Sequence, residues 1–256
     1  MELMPQLTLQ LKQLRLSGLL ETLDDRCRKA VDEKWSFLDF MSRLLEDEVE
    51  RRQQKQLQLR LRRGALNTSK TIEEFDFDFH PSLNRQQVLS LADCTYIREH
   101  RNAILAGPSG VGKSHLAQAL GQEACRRGFD VLFANTAKML AHIHGGRADA
   151  SFDRRLGLYT RPDLLILDDF GLKPLQPPAP EDLYDVINER YEKASILITS
   201  NRSPTEWPAL FVDPLLASAG LDRLLHRAEV VIIKGKSYRA KGRANLKKET
   251  WVNGDE

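Results

Sequence analysis

Gly107-Pro108-Ser109-Gly110-Val111-Gly112-Lys113-Ser114 combines three glycines, a lysine and a hydroxyl in the spacing Gly-x-x-x-x-Gly-Lys-Ser. Glycines let successive backbone N–H groups turn inward, the lysine brings a compact positive charge, and the hydroxyl adds a hard oxygen ligand. Together these bind a polyphosphate and its divalent cation. The flanks are those such a loop needs: Ile104, Leu105 and Ala106 read as the end of a buried strand, and His115, Leu116, Ala117 and Leu120 open a helix with its positive end toward the phosphates. Gly107 to His115 are therefore expected to cradle the phosphates of ATP, with Lys113 against the β- and γ-phosphates and Ser114 on Mg²⁺.

Leu164-Leu165-Ile166-Leu167 is an apolar run ending in Asp168-Asp169. Two carboxylates at the carboxyl end of a buried strand suit the same chemistry, Asp168 orienting Mg²⁺ through its water shell and Asp169 polarising the attacking water. The alternative, a strand closed by an Asx turn, is the lesser reading and loses further ground beside the upstream loop. Ile196-Leu197-Ile198-Thr199-Ser200-Asn201 is a second such strand, and parallel strands present their carboxyl ends to the ligand crevice, which brings Asn201 within reach of the γ-phosphate. A plain strand cap is the lesser alternative for Asn201. Arg223, in Leu221-Asp222-Arg223-Leu224-Leu225, reads on chemistry alone as a surface ion-pair partner.

These residues need a scaffold. Short apolar runs at Ala103 to Ala106, Val131 to Ala134, Leu164 to Leu167, Ser195 to Thr199 and Val230 to Ile233 alternate with helix-length segments. That alternation predicts an α/β unit with a five-stranded parallel sheet covered on both faces. Before it, the chain up to about Gly64 reads as helical. Ser36 is placed to cap a helix whose Phe37, Phe40, Met41, Leu44 and Leu45 form one sticky face. Gly64 to Thr71 is a polar break, and Gln176-Pro177-Pro178-Ala179-Pro180 a stiff loop. The expected organisation is a helical unit over 1–66, an ATPase unit over 67–243 and a polar tail over 244–256. Phe75, Phe77 and Phe79 alternate with Asp76 and Asp78, predicting an edge strand or extended segment whose apolar face packs on the core, with adenine contact as the alternative.

At 256 residues, 41% hydrophobic and 29% charged, the chain is long enough for a core and has neither a disordered nor a membrane composition. No apolar run approaches the roughly 18 residues of a membrane span, and Met1 to Gln10 lacks a signal peptide's regions, so a cytoplasmic location is expected. Cys27, Cys94 and Cys125 fit reduced thiols serving as filler. His142 and His144 lack a third ligand and read as surface histidines. The net charge of +2 hides two acid-free basic segments, Arg51, Arg52, Lys55, Arg60, Arg62 and Arg63, then Lys234, Lys236, Arg239, Lys241, Arg243, Lys247 and Lys248. Taken singly, each reads as evenly as a solvated face or tail as a polyanion contact; together they suggest a polyanion, since phosphate contacts dominate non-specific nucleic-acid affinity.

The pattern resembles the AAA+ family, and more narrowly the IstB-like ATPases, transposition helpers of bacterial insertion sequences related to the DnaC helicase loader. The resemblance runs from about Phe75 to Arg239. It rests on Phe75-Asp76-Phe77, the phosphate loop, Arg161-Pro162-Asp163 leading into Leu164 to Gly171, Glu189-Arg190-Tyr191-Glu192, Thr199-Ser200-Asn201 with Glu206-Trp207, Asp213-Pro214, Leu221 to His226 and Ser237-Tyr238-Arg239. It implies an ATP-dependent homo-oligomer that binds double-stranded DNA, captures it as a target and works with the transposase of the same insertion sequence. It further implies that Asn201 is a sensor and Arg223 an arginine finger for a neighbouring subunit. Asp169 stands where most AAA+ members carry Glu, which fits a slow switch better than a motor. With little chain after Arg243 no helical lid is expected, and Arg239 is only a candidate for the lid arginine. The alternatives are a DnaC-like replicative helicase loader, a small-molecule kinase, which the strand ending at Asn201 argues against, and a scaffold that holds ATP without turnover.

Overall fold

The computed structural model describes residues 3–238 and residue 240. Arg239, Lys241, Arg243, Lys247, Lys248 and the expected tail lie outside the described residues. The chain divides into two compact units at Leu59/Arg60.

The first unit holds α1 (Leu3–Gln13), α2 (Ser17–Asp32) and most of α3 (Phe37–Arg63). Ser36 and Asp39 cap α3 reciprocally: Asp39 N donates to Ser36 Oγ at 3.1 Å and Ser36 N to Asp39 Oδ2 at 3.3 Å. The core is Leu11, Leu19, Leu23 and Leu44, with Phe40 packed against it. The sticky face expected of α3 is thus split. Phe40 and Leu44, one turn apart, turn inward, while Phe37, Met41 and Leu45 are exposed, because a core formed by one-turn neighbours occupies a narrower stripe than the five residues cover.

The second unit carries one sheet, all parallel, in the order β2-β3-β4-β1-β5. The strands are β1 (Ala103–Ala106), β2 (Val131–Asn135), β3 (Leu164–Phe170), β4 (Ser195–Ser200) and β5 (Glu229–Ile232). Around them run α4 (Arg85–Ala92), α5 (Thr95–Arg98), α6 (Lys113–Arg126), α7 (Thr136–Gly145), α8 (Phe152–Thr160), α9 (Ala179–Arg190), a 3-10 turn over Pro204–Leu210, and α10 (Pro214–Leu225). Every residue of β1 and β4 is buried, which is why these strands read as unbroken apolar runs. The face against α7, α9 and α10 is filled by Leu165, Leu167, Ile196, Ile198, Leu183 and Trp207 among others. Among the described residues no helix is long and apolar enough to cross a membrane.

Phe75 to Phe79 forms a string of turns, not an edge strand. Asp76 accepts from Phe79 N at 3.0 Å, and His80 N returns to Phe77 O at 3.0 Å; a carboxylate that closes a turn on its own backbone competes with strand formation. Phe75 is buried, as core packing required, while Phe77 and Phe79 are half-buried.

Candidate nucleotide site

The loop from Gly107 to Ser114 leaves the carboxyl end of β1 and delivers Lys113 as the first residue of α6. Gly107 N donates to Ser200 O at 3.1 Å, tying the loop to the end of β4. Gly112 has φ +89°, and a Cβ there would lie 2.6 Å from Cε2 of Phe75. Only glycine satisfies both conditions. Lys113 is 6% exposed, and its Nζ donates to Gly107 O and Pro108 O at 2.8 Å each and to Asn201 Oδ1 at 2.5 Å. Lys113 and Asn201, 88 residues apart in sequence, are thereby in direct contact.

Across from the loop, the pairing of β3 with β4 slips between Leu167 and Phe170, so that Asp168 and Asp169 sit on an irregularity, with Asp169 at φ +58°. Such irregularities re-aim side chains at functional sites. Thr199 Oγ1 holds both acids: it donates to Asp168 Oδ1 at 2.5 Å and accepts from Asp169 N at 3.1 Å. Asn135 Nδ2 donates to Asp169 Oδ2 at 3.3 Å, and Thr136 Oγ1 to Asp168 O at 2.9 Å. Three strand ends therefore converge on the acid pair. Thr199 and Asn135 carry positioning roles that spacing did not expose, since each acts through a neighbour distant in sequence; the one available signal was polarity at the end of an apolar strand.

These elements enclose a cleft of about 770 Å³ whose lining includes Lys113, Ser114, Asp168, Asp169 and Asn201. Phe75, His80 and Tyr238 also line it. His80 is 2% exposed, packed edge-on against Phe79. His115 does not stand alone at the phosphates: its Nε2 lies 2.8 Å from Thr71 O. Gln118 and Gln122, on the same helix face, bond Asn67 at 3.0 Å. The segment entering the cleft is thus fastened to the phosphate-loop helix.

The donor set suits Mg²⁺, which takes hard oxygens from one or two carboxylates and from substrate phosphates. Among the described residues no cluster of three acidic, histidine or cysteine side chains forms a self-sufficient metal site. His142 instead pairs with Tyr159 OH at 3.0 Å.

Arg223 lies outside this cleft. It projects from α10, donating from Nη1 to Tyr184 OH at 3.0 Å and to Ala219 O at 3.1 Å, with its guanidinium 5.3 Å from the Tyr184 ring. No carboxylate pairs with it among the described residues. Of the basic residues, Arg51 and Arg52 pair with Glu48, Arg52 Nε at 2.7 Å, and Arg60 lies 3.7 Å from Asp130. Lys55, Arg62, Arg63, Lys234 and Lys236 are exposed. The second basic segment begins beside the phosphate loop, where Tyr238 N donates to Gly110 O at 2.9 Å.

Residues 9–246 match the family model described as IstB-like ATP binding protein. The chain is 40% identical over 240 residues to an insertion-sequence ATP-binding protein of Mycobacterium tuberculosis, covering 93% of this chain and 96% of that one. To an insertion-sequence ATP-binding protein of Pseudomonas aeruginosa it is 36% identical over 238 residues, 93% and 90% of the two chains. Among solved structures it is similar to replication initiator DnaA bound to AMPPCP and single-stranded DNA, with TM-score 0.56, 23% identity and coverage of 72% of this chain and 56% of that one. It is also similar to DnaI, with TM-score 0.55, 18% identity and coverage of 64% and 90%. These two likenesses concern the fold, an AAA+ P-loop core. The match over residues 9–246 and the identity to insertion-sequence proteins along nearly their whole length make this chain a member of the IstB-like ATP binding protein family.

Proposed function

We propose that this protein is a cytoplasmic, ATP-hydrolysing switch that assembles as a homo-oligomer on double-stranded DNA and presents it to the transposase of its insertion sequence. The observation that carries the reading is the convergence of Lys113, Asn201 and the Thr199-held pair Asp168-Asp169 on one cleft at the carboxyl ends of β1, β3 and β4.

In this reading, backbone N–H groups of Gly107 to Gly112 and the amino end of α6 bind the phosphates, and Lys113 moves from loop carbonyls to the β- and γ-oxygens. Ser114 and Asp168 would hold the nucleotide's Mg²⁺, which would supply charge neutralisation at the phosphates. Asp169, oriented by Asn135 and the Thr199 bracket, accepts a hydrogen bond from the attacking water. That water's oxygen bonds the γ-phosphorus as the bond to the β–γ bridging oxygen breaks, giving ADP and phosphate. Asn201 reports the γ-phosphate to β4, and Arg223 serves the cleft of a neighbouring subunit, where such an arginine contributes about 10³ to 10⁵ in rate. Phe75, His80 and Tyr238 face the base. The helical unit that ends at Leu59 serves oligomerisation and DNA contact, and the unit that begins at Arg60 carries the ATPase.

DNA contact through Arg51, Arg52, Lys55, Arg60, Arg62 and Arg63 and the Lys234 to Arg243 segment is to phosphates, so affinity falls steeply with salt and depends little on sequence. Binding of mixed-sequence duplex with Mg-ATP at about 50 and 200 mM salt tests this: a loss of at least tenfold is expected, and salt-insensitive binding would overturn it.

A further inference from the structure

A second cavity, of about 210 Å³, lies at the opposite end of the sheet, where Asn102 leads into β1 and Ala194 into β4. Its wall includes Arg101, Arg190, Arg223 and Arg227, His100 and His226, against two carboxylates, Glu99 and Glu192. The guanidinium charges outnumber the carboxylates before either histidine is protonated.

The arginines differ in how far the protein answers them. Arg101 is neutralised, its Nε 2.7 Å from Glu99 and its Nη1 2.8 Å from Glu229. Arg190, at the end of α9, is 1% exposed. Its Nη1 donates to Tyr159 O and Thr160 O, and its Nη2 to Asp163 O and Ser195 O, at 2.6 to 3.2 Å. These acceptors are neutral carbonyls, and Arg190 Nε has no partner among the described residues. A buried guanidinium without a paired anion is costly, and burial pulls the pKa of Arg190 down to about 10, the Asp163 carboxylate opposing that shift. Arg223 donates from Nη1 to Tyr184 OH and Ala219 O and pairs with no carboxylate among the described residues. Arg227 is exposed, and His226 is oriented by Tyr191, whose OH lies 3.2 Å from Nδ1.

We propose that this cavity binds a single phosphate group, separately from the nucleotide cleft. Guanidinium forks match phosphate oxygens in charge and geometry, and 210 Å³ holds one such group but not a nucleoside triphosphate, for which the 770 Å³ cleft has room. The phosphate is either free in solution or the terminal group of a nucleic-acid strand. The proposal stands independently of the ATPase reading. Should that reading hold as well, an occupied cavity engages Arg223 and competes with its service to a neighbour.

The test uses the full chain saturated with Mg-ADP, which fills the nucleotide cleft, titrated calorimetrically with inorganic phosphate at constant ionic strength. One site per chain is expected, weakened about tenfold or more by Arg227→Gln with His226→Gln, with Mg-ADP affinity unchanged as the control for folding. In the unmodified chain, phosphate should shift the side-chain Nε–H resonances of Arg223 and Arg227. A 5′-phosphorylated thymidine trinucleotide, compared with its unphosphorylated form, separates the two sources: binding of the phosphorylated form alone identifies a strand end, and binding of inorganic phosphate alone identifies the free ion. No phosphate binding, or binding that the double variant leaves unchanged and that moves neither arginine resonance, overturns the proposal.

Discussion

Lys113 Nζ and Asn201 Oδ1 meet at 2.5 Å across 88 residues of sequence. The contact joins the first residue of α6 to the residue after β4, so a nucleotide that draws Lys113 toward its phosphates also changes what Asn201 touches. In the proposed reading, that change would let β4 report the γ-phosphate.

Asn201→Ala should therefore separate binding from turnover. ATP affinity is expected to stay within about threefold while kcat falls tenfold or more, because the lost contact matters most as the γ-phosphoryl group departs. Lys113→Ala should lose both. Nucleotide titration with steady-state phosphate release makes the comparison, and equal losses in Kd and kcat/KM with kcat unchanged for Asn201→Ala would remove its sensor role.

Gly112→Ala should damage the site through backbone and packing together. The new Cβ meets the Phe75 ring at 2.6 Å at a residue with φ +89°; left-handed strain and overpacking each cost roughly 1–3 kcal/mol. A lowered Tm and at least tenfold weaker ATP binding are expected. Adding Phe75→Leu should recover part of the Tm, since it relieves the clash and leaves the strain. No recovery would mean that Phe75 does not set the requirement for glycine.

The first unit should be acid-sensitive through Asp47. Arg26 donates to both its oxygens, at 2.9 and 2.5 Å, and this hydrogen bonding holds the carboxyl at about 2 in place of 3.8. A depressed carboxylate stabilises the folded state fully above its unfolded pKa and loses that contribution as pH falls through the folded one. Roughly 2 kcal/mol or less should disappear between about pH 4 and pH 2. Helicity followed by circular dichroism across that window should fall more steeply for the unmodified chain than for Asp47→Asn. Parallel curves would contradict the assignment.

What could be read from the sequence divides along physical lines. The central strands β1 and β4 were legible because strands buried on both faces are unbroken apolar runs, while the edge strand β5, with Val230 and Ile232 exposed, was legible from its apolar residues alone; the loop was legible because its glycines, lysine and hydroxyl stand at fixed spacing. The acid pair was legible as the end of such a run. Thr199 as its bracket was not, because the contact crosses from β4 to β3 and depends on the slip after Leu167. The alternation of Phe75, Phe77 and Phe79 suggested a strand, yet Asp76 turned the segment back on itself. The α3 face was overestimated for a related reason: helical spacing marks what could be buried, and the packing partners decide how much is. The cavity around Arg190 draws on α9, α10 and the starts of two strands, a grouping no local pattern announces.

The most direct test of the central claim is the sedimentation of the chain on mixed-sequence duplex DNA with Mg-ATP, with Mg-ADP and as Lys113→Ala with Mg-ATP. The account predicts a large DNA-bound assembly with Mg-ATP alone. An assembly of the same size and affinity in all three conditions would contradict it, because the cleft would then have no part in DNA binding.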